Sequence, residues 1–93
     1  MIPKKKKKVD QEALRSPFMR IPGMPVWGAR SIIDSGFYEI YELQGRSPET
    51  LFEDLKKKCP ETLEDRLSIF RLAVYFADTE EPEPSLLNPE RWK

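Results

Sequence analysis

From Leu67 to Ala77 the chain carries apolar residues on almost every side of a helix, and this stretch constrains the fold more than any other. Leu67, Ile69, Phe70, Leu72, Ala73, Val74, Phe76 and Ala77 leave few polar positions between them. A helix apolar all round is stable only where neighbours bury it on most sides. The segment is therefore the expected hub of the core, and the rest of the chain must supply its cover. Thr62-Leu63-Glu64-Asp65 just before it has the spacing of a capping box, so the hub helix is predicted to open near Thr62.

The cover is limited, because 93 residues make one domain. A chain of this size buries roughly 60% of its unfolded surface, enough for one modest core but not for a deep substrate cavity. Asp10 is a suitable N-cap for a short helical turn through Leu14, stopped by Pro17. Pro25 suits the first position of a helix over about 25–35, where Val26, Ala29, Ile32 and Ile33 recur at helical spacing and Gly36 follows as a stop. Ser47-Pro48-Glu49 is a strong helix start, with Leu51, Phe52 and Leu55 as its apolar stripe and Lys56 to Lys58 at its C-terminal end. Tyr38 to Leu43 reads as one or two further helical turns, although its aromatic and β-branched residues also suit a strand. The predicted class is all-α, a small domain of about five helices.

Charge divides the chain. Residues 1–30 hold eight Lys/Arg against two acids, net +6, and residues 31–93 hold eight against fourteen, net −6. Lys4, Lys5, Lys6, Lys7 and Lys8 repel one another and bury nothing, so residues 1–9 are expected to be a disordered basic arm. Residues 10–79 are then the folded domain. Residues 80–93, rich in Glu and Pro, are expected to be an extended tail whose Leu86, Leu87 and Trp92 pack back on the helices. The lysine run has no apolar segment after it and does not resemble a signal peptide; the longest apolar run is too short to cross a bilayer. With Cys59 as the single cysteine, the expectation is a cytoplasmic protein that does not engage membranes.

Catalysis finds little support in the composition. Histidine is absent, which removes the commonest general base and metal ligand. Cys59 lies behind three lysines that would favour its thiolate, but no base accompanies it. Paired acids such as Glu53-Asp54 and Glu64-Asp65 are adjacent in sequence and read as solvated helix faces. No enzyme, no cofactor, no metal and no small-molecule substrate is expected.

Arg20-Ile21-Pro22-Gly23-Met24-Pro25 is a rigid turn in which Gly23 can supply a positive φ. With Ala29 and Ile32-Ile33 beyond, it resembles the helix-hairpin-helix signature. Three longer strings extend the likeness: Asp34 to Phe37, Leu43 to Phe52, and Glu64 to Ala77 with its Phe70-Arg71-Leu72-Ala73-Val74-Tyr75-Phe76-Ala77 core. Together with the ending Pro84 to Leu87 and Trp92-Lys93, they resemble the bacterial pathogenicity-locus family of helix-hairpin-helix proteins over about residues 18–93. The resemblance implies a compact tandem of helical hairpins that binds DNA, without established chemistry.

Two positions depart from that pattern. Pro25 replaces the second hairpin glycine and has no N–H to offer a phosphate. Leu67 and Leu72 stand in the last helix where the family often has cysteines, which makes those cysteines packing residues.

The expected function is weak, sequence-independent nucleic-acid binding, to DNA rather than RNA. Its contact residues would be Lys4 to Lys8, Arg20 and Arg30, and the hairpin residues Gly23, Met24, Val26, Trp27 and Gly28 through backbone amides. The rival expectation is a helical module that docks a protein partner, its hairpin kept only for packing and its arm a solvated tail. Trp27 could stack on a base, but a core position is the favoured reading. Arg66 and Arg71 are expected to pair with acids at the core edge.

Overall fold

Ile69, Phe70, Leu72 and Ala73 lie on successive turns of one helix and are all fully shielded from solvent. In the computed structural model, which describes residues 10–93, they belong to α4 (Arg66–Asp78), and the other elements pack around it. The expected arm, residues 1–9, lies outside the described residues. Before α4 come α1 (Gln11–Arg15), α2 (Val26–Asp34) and α3 (Pro48–Lys58). Among the described residues there is no strand and no helix long and apolar enough to cross a membrane. The all-α class holds, with four α-helices in place of the expected five.

The missing helix is the segment after α2. Residues Ile40–Leu43 form only a 3-10 turn, held by Glu39 and Glu42 in a reciprocal capping box. One carboxylate oxygen of Glu42 accepts from the backbone N–H groups of Tyr38 (2.7 Å) and Glu39 (2.9 Å), which holds its carboxyl below the ordinary range. Gly45, at φ +73°, turns the chain immediately afterwards. Leu43 is fully buried while Tyr38 and Tyr41 stay open to solvent.

Local sequence chemistry fixes most of the other boundaries. Asp10 caps α1 by accepting from the Ala13 amide at 3.2 Å, and Ser47 caps α3 through the Thr50 amide at 3.3 Å. Two starts differ from expectation. Pro25 stands just outside α2 as its N-cap, in extended backbone. The hub helix begins at Arg66, not at Thr62. The Thr62 hydroxyl donates backward to the Cys59 carbonyl at 2.6 Å, closing a turn with that residue, and among the described residues no amide ahead of it donates to its oxygen.

Residues 80–93 are less extended than the proline content suggests. Two 3-10 turns, Pro84–Leu86 and Pro89–Trp92, fold them back over α4. The Trp92 ring lies 5.2 Å from that of Tyr75, and its indole N–H donates to the Leu86 carbonyl at 2.8 Å. Arg71 and Arg66 pair with acids at the core edge: Arg71 with Glu49 at 3.4 Å, Arg66 with Asp65 at 2.8 Å. Arg71 also donates to the Trp92 carbonyl at 2.8 Å.

Candidate nucleic-acid interface

The segment expected to form the hairpin, called the hairpin below, consists of the 3-10 turn Pro17–Arg20, the tight turn 21–25 and α2. Phe18 and Ile21 are fully buried and anchor its entry. The Met24 amide donates to the Ile21 carbonyl at 3.1 Å, closing a turn around Pro22 and Gly23. Gly23 takes φ +84°, which an L side chain rarely adopts. The Pro25 carbonyl then accepts from both Gly28 (3.0 Å) and Ala29 (3.1 Å). Within the described residues the Val26 and Trp27 amides have no acceptor, as is usual for the first turn of a helix.

The predicted contact residues divide on this geometry. Gly23 is exposed at the turn, and Val26 and Trp27 present open amides. Met24 and Gly28 are inside, with both amides already donated. A Cβ on Gly28 would stand 2.8 Å from Met24 Sδ and 2.9 Å from Ile69 Cδ1, so there is no room for a side chain at Gly28, where α2 meets α4. The signature alanine, Ala29, is fully buried beside it.

Trp27 is not a core residue. Its side chain is 42% exposed, because Gly28, Ala29 and Ile32 already fill the face of α2 that packs inward. The Arg66 guanidinium lies 4.3 Å from the ring centroid, a cation–π contact that leaves part of the ring open. Beside them runs a groove of about 410 Å³ lined by Trp27, Leu55, Cys59, Leu63 and Arg66.

Arg30 does not face outward as a free cation. Its Nε and Nη2 hold the two oxygens of Asp10 at 2.8 and 2.7 Å, Nη2 also meets Glu12 at 2.9 Å, and Nη1 reaches Asp34 at 3.2 Å. The fork holds the Asp10 carboxyl at about 2, below its ordinary 3.8, with the Ala13 amide assisting. The same three carboxylates push the Arg30 guanidinium further into its charged form. Its charge serves to tie α1 to α2.

Two other cations on the same stretch remain open. Arg15 and Arg20 are exposed and make no ion pair among the described residues. Arg20 is among the expected contact residues and Arg15 is not. The available signal for Arg15 is its place at the end of a five-residue helix whose acids, Asp10 and Glu12, turn toward Arg30. At the hairpin's other flank, a cavity of about 240 Å³ is lined by Gly23, Pro25, Trp27, Asp65, Glu90 and Lys93 among others. Its carboxylates have neighbours: Asp65 pairs with Arg66, and Glu90 with Lys93 at 3.1 Å.

Compared with models of known families, with curated proteins and with solved structures, the chain finds no match.

Proposed function

We propose that this chain is a non-catalytic helical domain that binds nucleic acid weakly and without sequence preference. Its cations come from Lys4 to Lys8, Arg15 and Arg20, and its hairpin acts chiefly as scaffold. The carrying observation is the contrast between arginines: Arg30 is held by three carboxylates, while Arg15 and Arg20 are exposed with no ion pair among the described residues. Lys4 to Lys8 add five cations shortly before Arg15 and Arg20 in sequence, and such basic segments bind duplexes by releasing condensed counterions. Two of the five hairpin positions expected to supply amides, Met24 and Gly28, have already donated theirs internally.

Gel shifts with a labelled duplex across a salt series test this reading. Seven cations predict a log–log slope of roughly −6. Replacing Lys4 to Lys8 by Ala should remove most retention at low salt. No retention of duplex or single strand at low salt would overturn the proposal.

A second reading, docking of a protein partner, is favoured by one observation. Trp27 and Leu63, 42% and 60% exposed, border the same groove beside α2. Large apolar side chains gathered at one groove are typical of docking surfaces.

A further inference from the structure

We infer that the C-terminal segment 80–93 is a releasable strap that fastens the Glu90 carboxylate beside the hairpin and so weakens this domain's own hold on nucleic acid. The inference rests on the nucleic-acid reading above and assigns a regulation to that surface.

Position comes first. At the Gly23 turn, three residues beyond Arg20, a Cβ would stand 2.6 Å from the Leu87 carbonyl oxygen and 3.5 Å from Asn88 Cα. The strap's backbone therefore lies directly against the hairpin. Asn88, Pro89, Glu90 and Lys93 go on to form one wall of the cavity whose other side is Gly23, Pro25 and Trp27. Charge comes second: residues 80–93 carry Glu80, Glu81, Glu83 and Glu90 against Arg91 and Lys93. Of these, Glu90 is the carboxylate at the turn that follows Arg20, where it holds Lys93 at 3.1 Å, so a phosphate backbone approaching there meets a carboxylate and a lysine whose charge is already taken up.

The fastening is weak enough to open. None of the fourteen positions from 80 to 93 is fully buried, and every fully or nearly buried apolar residue of the core lies at or before Ala77. The strap is held to the core by the half-buried Leu87 and Trp92 side chains, with the Trp92 ring on Tyr75, by Arg71 on the Trp92 carbonyl, and by the Tyr75 hydroxyl accepting from the Glu83 amide at 2.8 Å; the Trp92 indole bond to Leu86 closes the strap on itself. Segments with few buried contacts open locally at small free-energy cost while the core stays folded. Trp92 supplies two of those contacts with α4, its ring on Tyr75 and its carbonyl under Arg71, which makes it the latch.

The experiment uses the full chain and a fluorescent duplex at low salt. Its variants are Trp92→Ala, which opens the latch without changing charge; Glu90→Gln, which removes the carboxylate beside the turn and keeps the latch; and a Glu80→Gln/Glu81→Gln pair, which removes charge away from the turn. Limited proteolysis within 80–87 reads the latch directly, and a thermal melt confirms that each variant is folded. Trp92→Ala should become more cleavable and bind at least about threefold more tightly, as should Glu90→Gln, with the linker pair changing less. Equal gains from Glu90→Gln and the linker pair would show a general charge effect and overturn the fastened strap. Duplex binding by the intact chain that neither Trp92→Ala nor Glu90→Gln improves would overturn the strap and leave the nucleic-acid reading standing. Absence of binding in every variant would remove the nucleic-acid reading itself, and the strap's regulatory role with it.

Discussion

Arg30 grips Asp10 as a fork on a fork, Nε to Oδ2 at 2.8 Å and Nη2 to Oδ1 at 2.7 Å, across twenty residues of sequence. One contact thus links the N-cap of α1 to the middle of α2, and its strength depends on Asp10 staying charged. The Asp10 carboxyl sits at about 2 in the folded chain against an ordinary 3.8. A lowered carboxyl pKa means the unfolded chain binds the proton more readily, so this contribution is complete above about 4 and lost as pH falls toward 2. Glu42 and Glu49 are lowered as well, by backbone amides in both cases with Arg71 assisting Glu49, and act in the same direction. Melting temperature should therefore decline from about pH 5 to pH 2. Asp10→Asn keeps an N-cap oxygen but not the charge, so it should melt lower at neutral pH and show a shallower acid dependence. Identical acid slopes for the two chains would show that the fork contributes nothing to stability.

Gly23 and Gly36 form a natural control pair. Both have positive φ, +84° and +99°, but a Cβ on Gly36 would meet nothing within 4 Å, whereas one on Gly23 runs into the Leu87 carbonyl. Gly36→Ala should cost only the left-handed penalty, about 1 kcal/mol. Gly23→Ala carries the same penalty and must also displace the tail, for roughly 2–3 kcal/mol in all. Urea melts give both values. Equal losses would mean the tail yields freely and the contact is incidental.

Phe70 is fully buried at the centre of the hub helix. Phe70→Ala should lose about 3–5 kcal/mol, the usual range for a buried aromatic, which is a large part of the stability of so small a domain. Chemical denaturation of the variant measures it, and a loss below about 1 kcal/mol would deny α4 its place as hub.

Elements whose signals are local are legible in the sequence itself. Ser47-Pro48 marks the start of α3 with cap and ring together, Gly23 and Gly36 mark the two turns, and the apolar surround of α4 announces burial. The features that escape such a reading depend on contacts distant in sequence or on a competition between near neighbours. Arg30 looks like an open cation until Asp10 and Glu12 arrive from eighteen to twenty residues away. Trp27 looks like core because tryptophan is large and apolar, but Gly28 and Ala29 beside it are what allow α2 to approach α4. Thr62 fits a capping box equally well whether it looks forward to the helix or back to Cys59, and only the fold decides. The 3-10 turn at Ile40–Leu43 stays short because Glu42 caps it and Gly45 turns the chain directly after it.

Pro25 decides how much of the hairpin touches a phosphate. Its backbone, φ −78° and ψ 160°, lies within the range the ring prefers, so the proline holds the turn without strain. Pro25→Gly would add one N–H beside the open amides of Val26 and Trp27 and would also free the unfolded chain. The second effect should lower stability by several tenths of a kcal/mol to about 1 kcal/mol. If the hairpin is scaffold, duplex affinity of the otherwise intact chain should stay within about twofold, since an added donor on a surface that carries no phosphate gains nothing. Arg15→Gln and Arg20→Gln should behave differently: each should weaken binding and make the log–log salt slope shallower by about 1, the signature of one lost phosphate contact. A rise of about tenfold for Pro25→Gly, with the arginine variants inert, would move the interface from the basic segment to the hairpin amides.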